Sequence, residues 1–263
     1  MHNSLILNLG LVCTSLFFCN PLLADVILIF EPSPGNGENV NQSYGDNVSG
    51  STVDGFCYED TDGKFTPNVQ VEYGDSDFDF RHWDSSFGDL FNVLFRHQSG
   101  DLTAKITFQA EPGYGVLLHS FEMAGWPQSD YIIDAVAVLD VCNVPMFELT
   151  DVSIIGNTNS SPDHTTFEFE PPLQSSRIQI LFDSSNLGSD VDNIGIDNIR
   201  FSQVVMPGTG DVNQDGSVDL LDVAPFVDLL TTGQYQIEAD VNEDGALNLL
   251  DVSPFVDRIT CGG

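Results

Sequence analysis

Leu102-Thr-Ala-Lys-Ile-Thr-Phe-Gln-Ala110 alternates strictly. Leu102, Ala104, Ile106 and Phe108 fall on one side, and Thr103, Lys105, Thr107 and Gln109 on the other. A two-residue period is that of a strand with one face in a core and one in water. The same alternation recurs at residues 69–73 and 167–169, and more loosely at 116–123 and 178–182. Residues 26–30 are apolar throughout and 132–141 nearly so, the pattern of central strands buried on both faces. Turn pairs such as Pro34-Gly35, Gly45-Asp46, Pro112-Gly113 and Pro171-Pro172 separate these runs. No amphipathic helix longer than two turns interrupts them. The expectation is a mainly β chain whose residues 25–203 form a two-sheet β-sandwich, jelly-roll-like in style.

Composition supports a real core. The chain has 263 residues, of which 41% are hydrophobic, and 19 Phe are among them. Against 7 Lys and Arg stand 40 Asp and Glu, giving a net charge of −33. Such a surface repels phosphate backbones and anionic lipid, so nucleic acid is excluded as a partner. Most of these carboxylates are expected simply to be solvated.

The first 24 residues contain no Asp, Glu, Lys or Arg and include an apolar run over residues 5–18. Followed by Pro21-Leu-Leu-Ala24, this predicts an export signal cleaved after Ala24, hence a secreted protein with no membrane insertion after cleavage. A retained membrane anchor is the alternative, though the run is short for a spanning helix. Cys13 and Cys19 fall inside this leader, which leaves Cys57, Cys142 and Cys261. Cys57 and Cys142 are the pair within one predicted domain, either disulfide-bonded or two buried thiols. Cys261, in a Cys-Gly-Gly tail, reads as unpaired.

After a short linker at residues 204–209 the text changes. Asp211-Val-Asn-Gln-Asp-Gly-Ser-Val-Asp-Leu-Leu-Asp222 matches Asp240-Val-Asn-Glu-Asp-Gly-Ala-Leu-Asn-Leu-Leu-Asp251, an offset of 240 − 211 = 29 residues. Oxygens at loop positions 1, 3, 5, 7, 9 and 12, with Gly at 6 for the sharp turn, form the shell that a hard cation such as calcium requires. In the first loop these are Asp211, Asn213, Asp215, the Ser217 carbonyl, Asp219 and Asp222. In the second they are Asp240, Asn242, Asp244, the Ala246 carbonyl, Asn248 and Asp251. Two ions are therefore expected. A helix is predicted after each loop, at residues 223–230 and 252–259. Val223, Phe226, Val227 and Leu230 recur as Val252, Phe255, Val256 and Ile259. Pro225 and Pro254 are compatible with first turns if Asp222 and Asp251 cap these helices. Neither loop is preceded by a predicted entering helix.

A tandem loop–helix unit without entering helices resembles the dockerin type I domain, here over residues 210–260. The resemblance implies calcium, a secreted setting and a cohesin-like protein partner. It also places partner contacts at loop positions 10 and 11, which are Leu220, Leu221, Leu249 and Leu250. Family members often carry a Ser-Thr pair there, so a standard cellulosomal cohesin fits poorly. These leucines otherwise read as core.

In the preceding domain, Ile-Asp-Asn-Ile-Arg-Phe ending at Phe201 resembles the closing strand of galactose-binding-like and carbohydrate-binding jelly-rolls. That likeness implies a structural calcium held by Asp197 and Glu31; otherwise both are ordinary surface or turn carboxylates. Trp126, Trp83 and Tyr114 are candidate sugar-stacking rings, or else core. No catalytic constellation stands out. Glu168 with Glu170, or Asp75, Asp77 and Asp79, place acids on one strand face, but glycosidase chemistry needs carboxylates across a cleft. The reading is a non-catalytic, glycan-binding sandwich docked through its dockerin, in polysaccharide utilisation or extracellular assembly. The alternatives are a small sandwich-fold glycoside hydrolase or lyase and a structural surface protein.

Overall fold

A computed structural model of the chain describes residues 25–60, 65–74, 80–97, 103–206, 208, 210–242 and 245–261. The expected export signal, Leu102, Asp75, Asp77, Asp79 and Asp244 lie outside the described residues, as does the side chain of Cys261. In chain order the strands are β1 (Val26–Glu31), β2 (Thr52–Val53), β3 (Phe56–Asp60), β4 (Val69–Tyr73) and β5 (Phe80–Trp83). Then come β6 (Val93–Arg96), β7 (Thr103–Ala110), β8 (Tyr114–Gly125), β9 (Tyr131–Leu139) and β10 (Pro145–Ile154). The last are β11 (Asn157–Thr158), β12 (Ser161–Pro162), β13 (Thr165–Ser175), β14 (Arg177–Asp183) and β15 (Ile194–Val205). Two helices follow, α1 (Val223–Thr232) and α2 (Val252–Cys261).

Apart from a separate two-stranded β11–β12 hairpin, the strands form two large antiparallel sheets. One runs β13-β8-β15-β1-β3-β2, with β6 pairing β15 beyond the end of β1 and β5 pairing β6. The other runs β10-β9-β14-β7-β4. Period-2 patterning determines which side chains meet between them. From β7 and β14, Ile106, Phe108, Ile180 and Phe182 are buried against Leu28, Phe121 and Phe201 of the facing sheet. The rings of Phe108 and Phe201 lie 4.8 Å apart across the interface, and Phe147 of β10 meets Phe169 of β13 at 5.2 Å.

Residues 69–73 and 178–182 form strands as their alternation predicts. β9 differs from expectation. Ile133, Val136 and Val138 are buried but Ile132 is 58% exposed, so this strand has one core face and one solvent face. Its apolar run overstated burial because a sandwich covers each sheet on one side only. In β15 the register against β8 shifts between Asp197 and Arg200, with Asn198 in the left-handed region at φ 49°. That bulge keeps both Ile196 and Ile199 in the core. β15 also continues through Val204 and Val205, which pair with Gly115 and Tyr114, so the first two residues of the expected linker are strand.

The proposed Cys57–Cys142 disulfide is not formed. Cys57 is a free, half-buried thiol on β3, between β1 and β2 of one sheet. Cys142 follows β9 of the other sheet and is disulfide-bonded elsewhere.

Candidate functional site

Each repeat folds as a tight loop whose first and last acids turn inward. Asp222 and Asp251, at position 12, are both fully buried, and Asp211 and Asp240, at position 1, are nearly so. Asp222 accepts the backbone N–H of Asn213 at 2.9 Å and of Asp219 at 2.9 Å, tying both arms of its loop together. Asp251 does the same for Asn242 at 3.2 Å and Asn248 at 2.8 Å. Asp211 and Asp240 each accept the N–H of the position-6 glycine, Gly216 or Gly245. These glycines have φ of 91° and 85°, backbone that the turn requires and a Cβ would strain. The expected capping role is corrected here: Asp222 makes no side-chain cap bond to α1, because its carboxylate serves the loop.

Buried carboxylates are costly unless a charge partner is at hand. An oxygen-only donor set on a short flexible loop fits calcium and does not suit a softer metal. Asp211, Asn213, Asp215, Ser217, Asp219 and Asp222 lie on the first described loop. Asp240, Asn242, Ala246, Asn248 and Asp251 lie on the second. The two units share one small core of Val212, Phe226, Ala239, Val241 and Phe255. The equivalent rings Phe226 and Phe255 stack at its centre, 3.8 Å apart and 6° from parallel.

The position 10 and 11 leucines are not core. Leu220, Leu221, Leu249 and Leu250 are 77%, 66%, 81% and 67% exposed. Val227 and Val256, expected on the packed face, also point to solvent, whereas Leu229, Leu230 and Ile259 pack on the cluster. The result is a pair of repeat-related apolar patches, one beside each loop. These leucines stand exposed on an otherwise acidic surface.

In the sandwich, Trp83 at the end of β5 and Trp126 just after β8 come together, 6.1 Å apart and at 76°. With Phe87, Phe95, Asp192 and Asn193 they line a cavity of about 130 Å³. Both indoles are half-buried, so they are neither plain core nor free. Trp126 is fixed from behind. Its backbone N–H donates to the Asn193 carbonyl at 2.8 Å, and its backbone carbonyl accepts the Tyr131 hydroxyl at 2.7 Å. An aromatic wall with a carboxylate and an amide on its rim suits a ligand with C–H faces and hydroxyl edges. Asp192 and Asn193 were missed in the sequence because their partners arrive through tertiary folding, with no local spacing to announce them. Tyr114 is not part of this site. It starts β8, at the opposite end from Trp126, and lines a separate cavity of about 510 Å³ with Asp211 and Arg258.

Asp197 on β15 is buried, and Glu31 of β1 lies within electrostatic reach. Burial, then the carboxylates of Glu122, Glu31 and Glu59, hold its carboxyl well above the usual range. The Asn92 amide donates to Glu31 at 3.0 Å, and the Asn198 amide to Glu122 at 2.7 Å. A carboxyl such as that of Asp197 ionises only where a cation offsets its acidic neighbours.

One arrangement has the residue types of a hydrolase triad but not its geometry. His119 Nε2 lies 2.8 Å from Ser202 Oγ and 3.0 Å from Asp25 Oδ1. Both contacts use the same ring nitrogen, whereas an activated serine needs the acid on the other one. Ser202 is fully buried and Arg200 holds Asp25 through a 2.6 Å bond, so the group is structural.

Residues 209–257 match the dockerin type I domain, a calcium-binding family. No curated protein matches the chain in sequence. The family 32 carbohydrate-binding module of C. perfringens NanJ, in complex with galactose, is similar at 10% identity and a TM-score of 0.28. That match covers 52% of this chain and 93% of that one. TmCBM61 in complex with β-1,4-galactotriose is 12% identical with a TM-score of 0.23, over 52% of this chain and 88% of that one. Allantoicase from Saccharomyces cerevisiae is 10% identical with a TM-score of 0.24, over 68% and 72%. Likenesses this slight have no bearing on function.

Proposed function

We propose that this dockerin-bearing chain is a secreted docking protein that carries a non-catalytic, glycan-binding sandwich onto a cohesin-like partner. Two calcium ions order the dockerin, one in each loop, and a further structural ion sits beside Asp197 and Glu31. The observation that carries the docking half is the doubled loop with its exposed Leu220-Leu221 and Leu249-Leu250 pairs. Calcium holds each loop in the shape that presents its leucines. An apolar pair in place of hydroxyl side chains selects a cohesin-like surface with an apolar rather than a polar contact patch. The sandwich contributes the Trp83–Trp126 cavity, whose ring wall and polar rim suit a neutral or cationic polysaccharide. At a net charge of −33 an anionic one is repelled unless calcium bridges it. The setting is polysaccharide utilisation or extracellular assembly.

Binding of the full chain to a panel of immobilised cohesin domains, with calcium and with chelator, tests the docking half. Capture is expected only with calcium. Replacing Leu220, Leu221, Leu249 and Leu250 with Ser together is expected to abolish it, while leaving calcium binding intact. Calcium-independent capture, or unchanged capture by the four-leucine variant, contradicts the reading.

A further inference from the structure

Among the described residues, one group has three metal-ligating atoms within 4.8 Å of one another: Asp89, Asp163 and His164. It is distinct in sequence from both calcium loops, and Glu122 links it to the surroundings of Asp197. We propose that these three side chains form a site for a divalent transition metal of the zinc class, clamping the loop that carries Phe87 to the β11–β12 hairpin segment.

The donor set comes first. An imidazole nitrogen with two carboxylates suits zinc-like ions and is a poor match for calcium, which takes oxygen. His164 Nδ1 lies 2.8 Å from Asp89 Oδ1. Ligand atoms around a tetrahedral zinc are roughly 3.3 Å apart, given bonds of about 2.0–2.1 Å. Small side-chain rotations therefore open the contact to admit an ion. Asp89 is exposed, which leaves room for water to complete the shell.

The imidazole is also held from its other side. Nε2 faces Glu122 Oε1 at 3.5 Å, and the other Glu122 oxygen accepts the Asn198 amide at 2.7 Å. A carboxylate beside the far ring nitrogen stands where the outer support of a metal-binding histidine is usually found.

Backbone packing supplies the third argument. A Cβ at Gly88 would fall 1.9 Å from the Asp163 carbonyl oxygen, and Gly88 has φ of 54°. Only glycine lets this loop lie directly on the Asp163 backbone, so Asp89 is delivered to Asp163 and His164 by main chain rather than by flexible side chains. Gly88 also donates its N–H to the Gly125 carbonyl, next to Trp126. An ion at this place would steady the Phe87 wall of the aromatic cavity.

The test is titration of the full chain with zinc and with cobalt(II) in saturating calcium, followed by calorimetry and visible absorption. One equivalent is expected to bind with micromolar or tighter affinity, and cobalt is expected to develop ligand-field bands. His164→Gln is expected to remove that equivalent and the bands, and Asp89→Asn to weaken binding at least tenfold. Melting of each variant without zinc is expected to match the parent, which separates metal loss from misfolding. Zinc binding unchanged in His164→Gln overturns the proposal. So does a parent chain that takes up no zinc with calcium present, for then the contact is an ion pair only.

Discussion

Asp222→Ala is expected to leave residues 210–261 unfolded even in saturating calcium, while the sandwich melts as before. Asp222 is fully buried, and its two oxygens hold the amides of Asn213 and Asp219 from opposite arms of the loop. Truncation strands both amides, each at about 1–3 kcal/mol, and removes a charged ligand at the closing position. The segment has little to set against this. Its buried apolar side chains are Val212, Phe226, Ala239, Val241 and Phe255, a core too small to stand alone. Asp222→Asn retains the shape but not the charge, so it is expected to fold only at higher calcium. Hydrogen exchange read peptide by peptide checks both. Loss of protection confined to α1 and α2 is the expected outcome, and native protection in Asp222→Ala refutes the role assigned to position 12.

The second large effect concerns Trp83. Trp83→Ala is expected to abolish retention on neutral polysaccharide in affinity electrophoresis. It also loosens the local cluster, since the ring contacts Trp126 and Phe95 edge-on. Truncating a fully buried aromatic costs about 3–5 kcal/mol, so a half-buried indole should cost less, on the order of 1–3. Loss of binding alone is therefore ambiguous. Asp192→Ala resolves it, because Asp192 lines the cavity without belonging to the ring cluster. That variant should bind at least tenfold more weakly with an unchanged melting temperature. Wild-type retention by Trp83→Ala would remove the sugar site from this cavity.

Local periodicities were the readable part of the sequence. Alternation at residues 69–73 marks β4 exactly as far as it runs, and the 29-residue repeat marks both loops, their glycine turns and the helices behind them. In β15 the apolar positions slip by one across Asp197-Asn198, and the bulge falls at that slip. What stayed hidden depends on contacts between distant segments. Trp83 meets Trp126 because β5, β6, β15 and β8 are successive neighbours in one sheet, an order that no local pattern encodes. His164 and Asp89 meet across 75 residues for a similar reason. Burial was misjudged wherever hydrophobicity was taken as enough. Ile132 is as apolar as a core residue yet lies on an outward face, and the four loop leucines, read as either contact or core residues, are exposed too. Asp222 was assigned to the helix it precedes, because loop closure and capping call for the same residue at the same place.

The central claim is that calcium makes the C-terminal segment a folded docking module. Hydrogen exchange of the full chain, with calcium and after chelation, tests it most directly. The account predicts that peptides covering α1 and α2 lose protection on chelation and regain it when calcium is restored, with β7 and β14 protected throughout. Undiminished protection of α1 and α2 without calcium would contradict it.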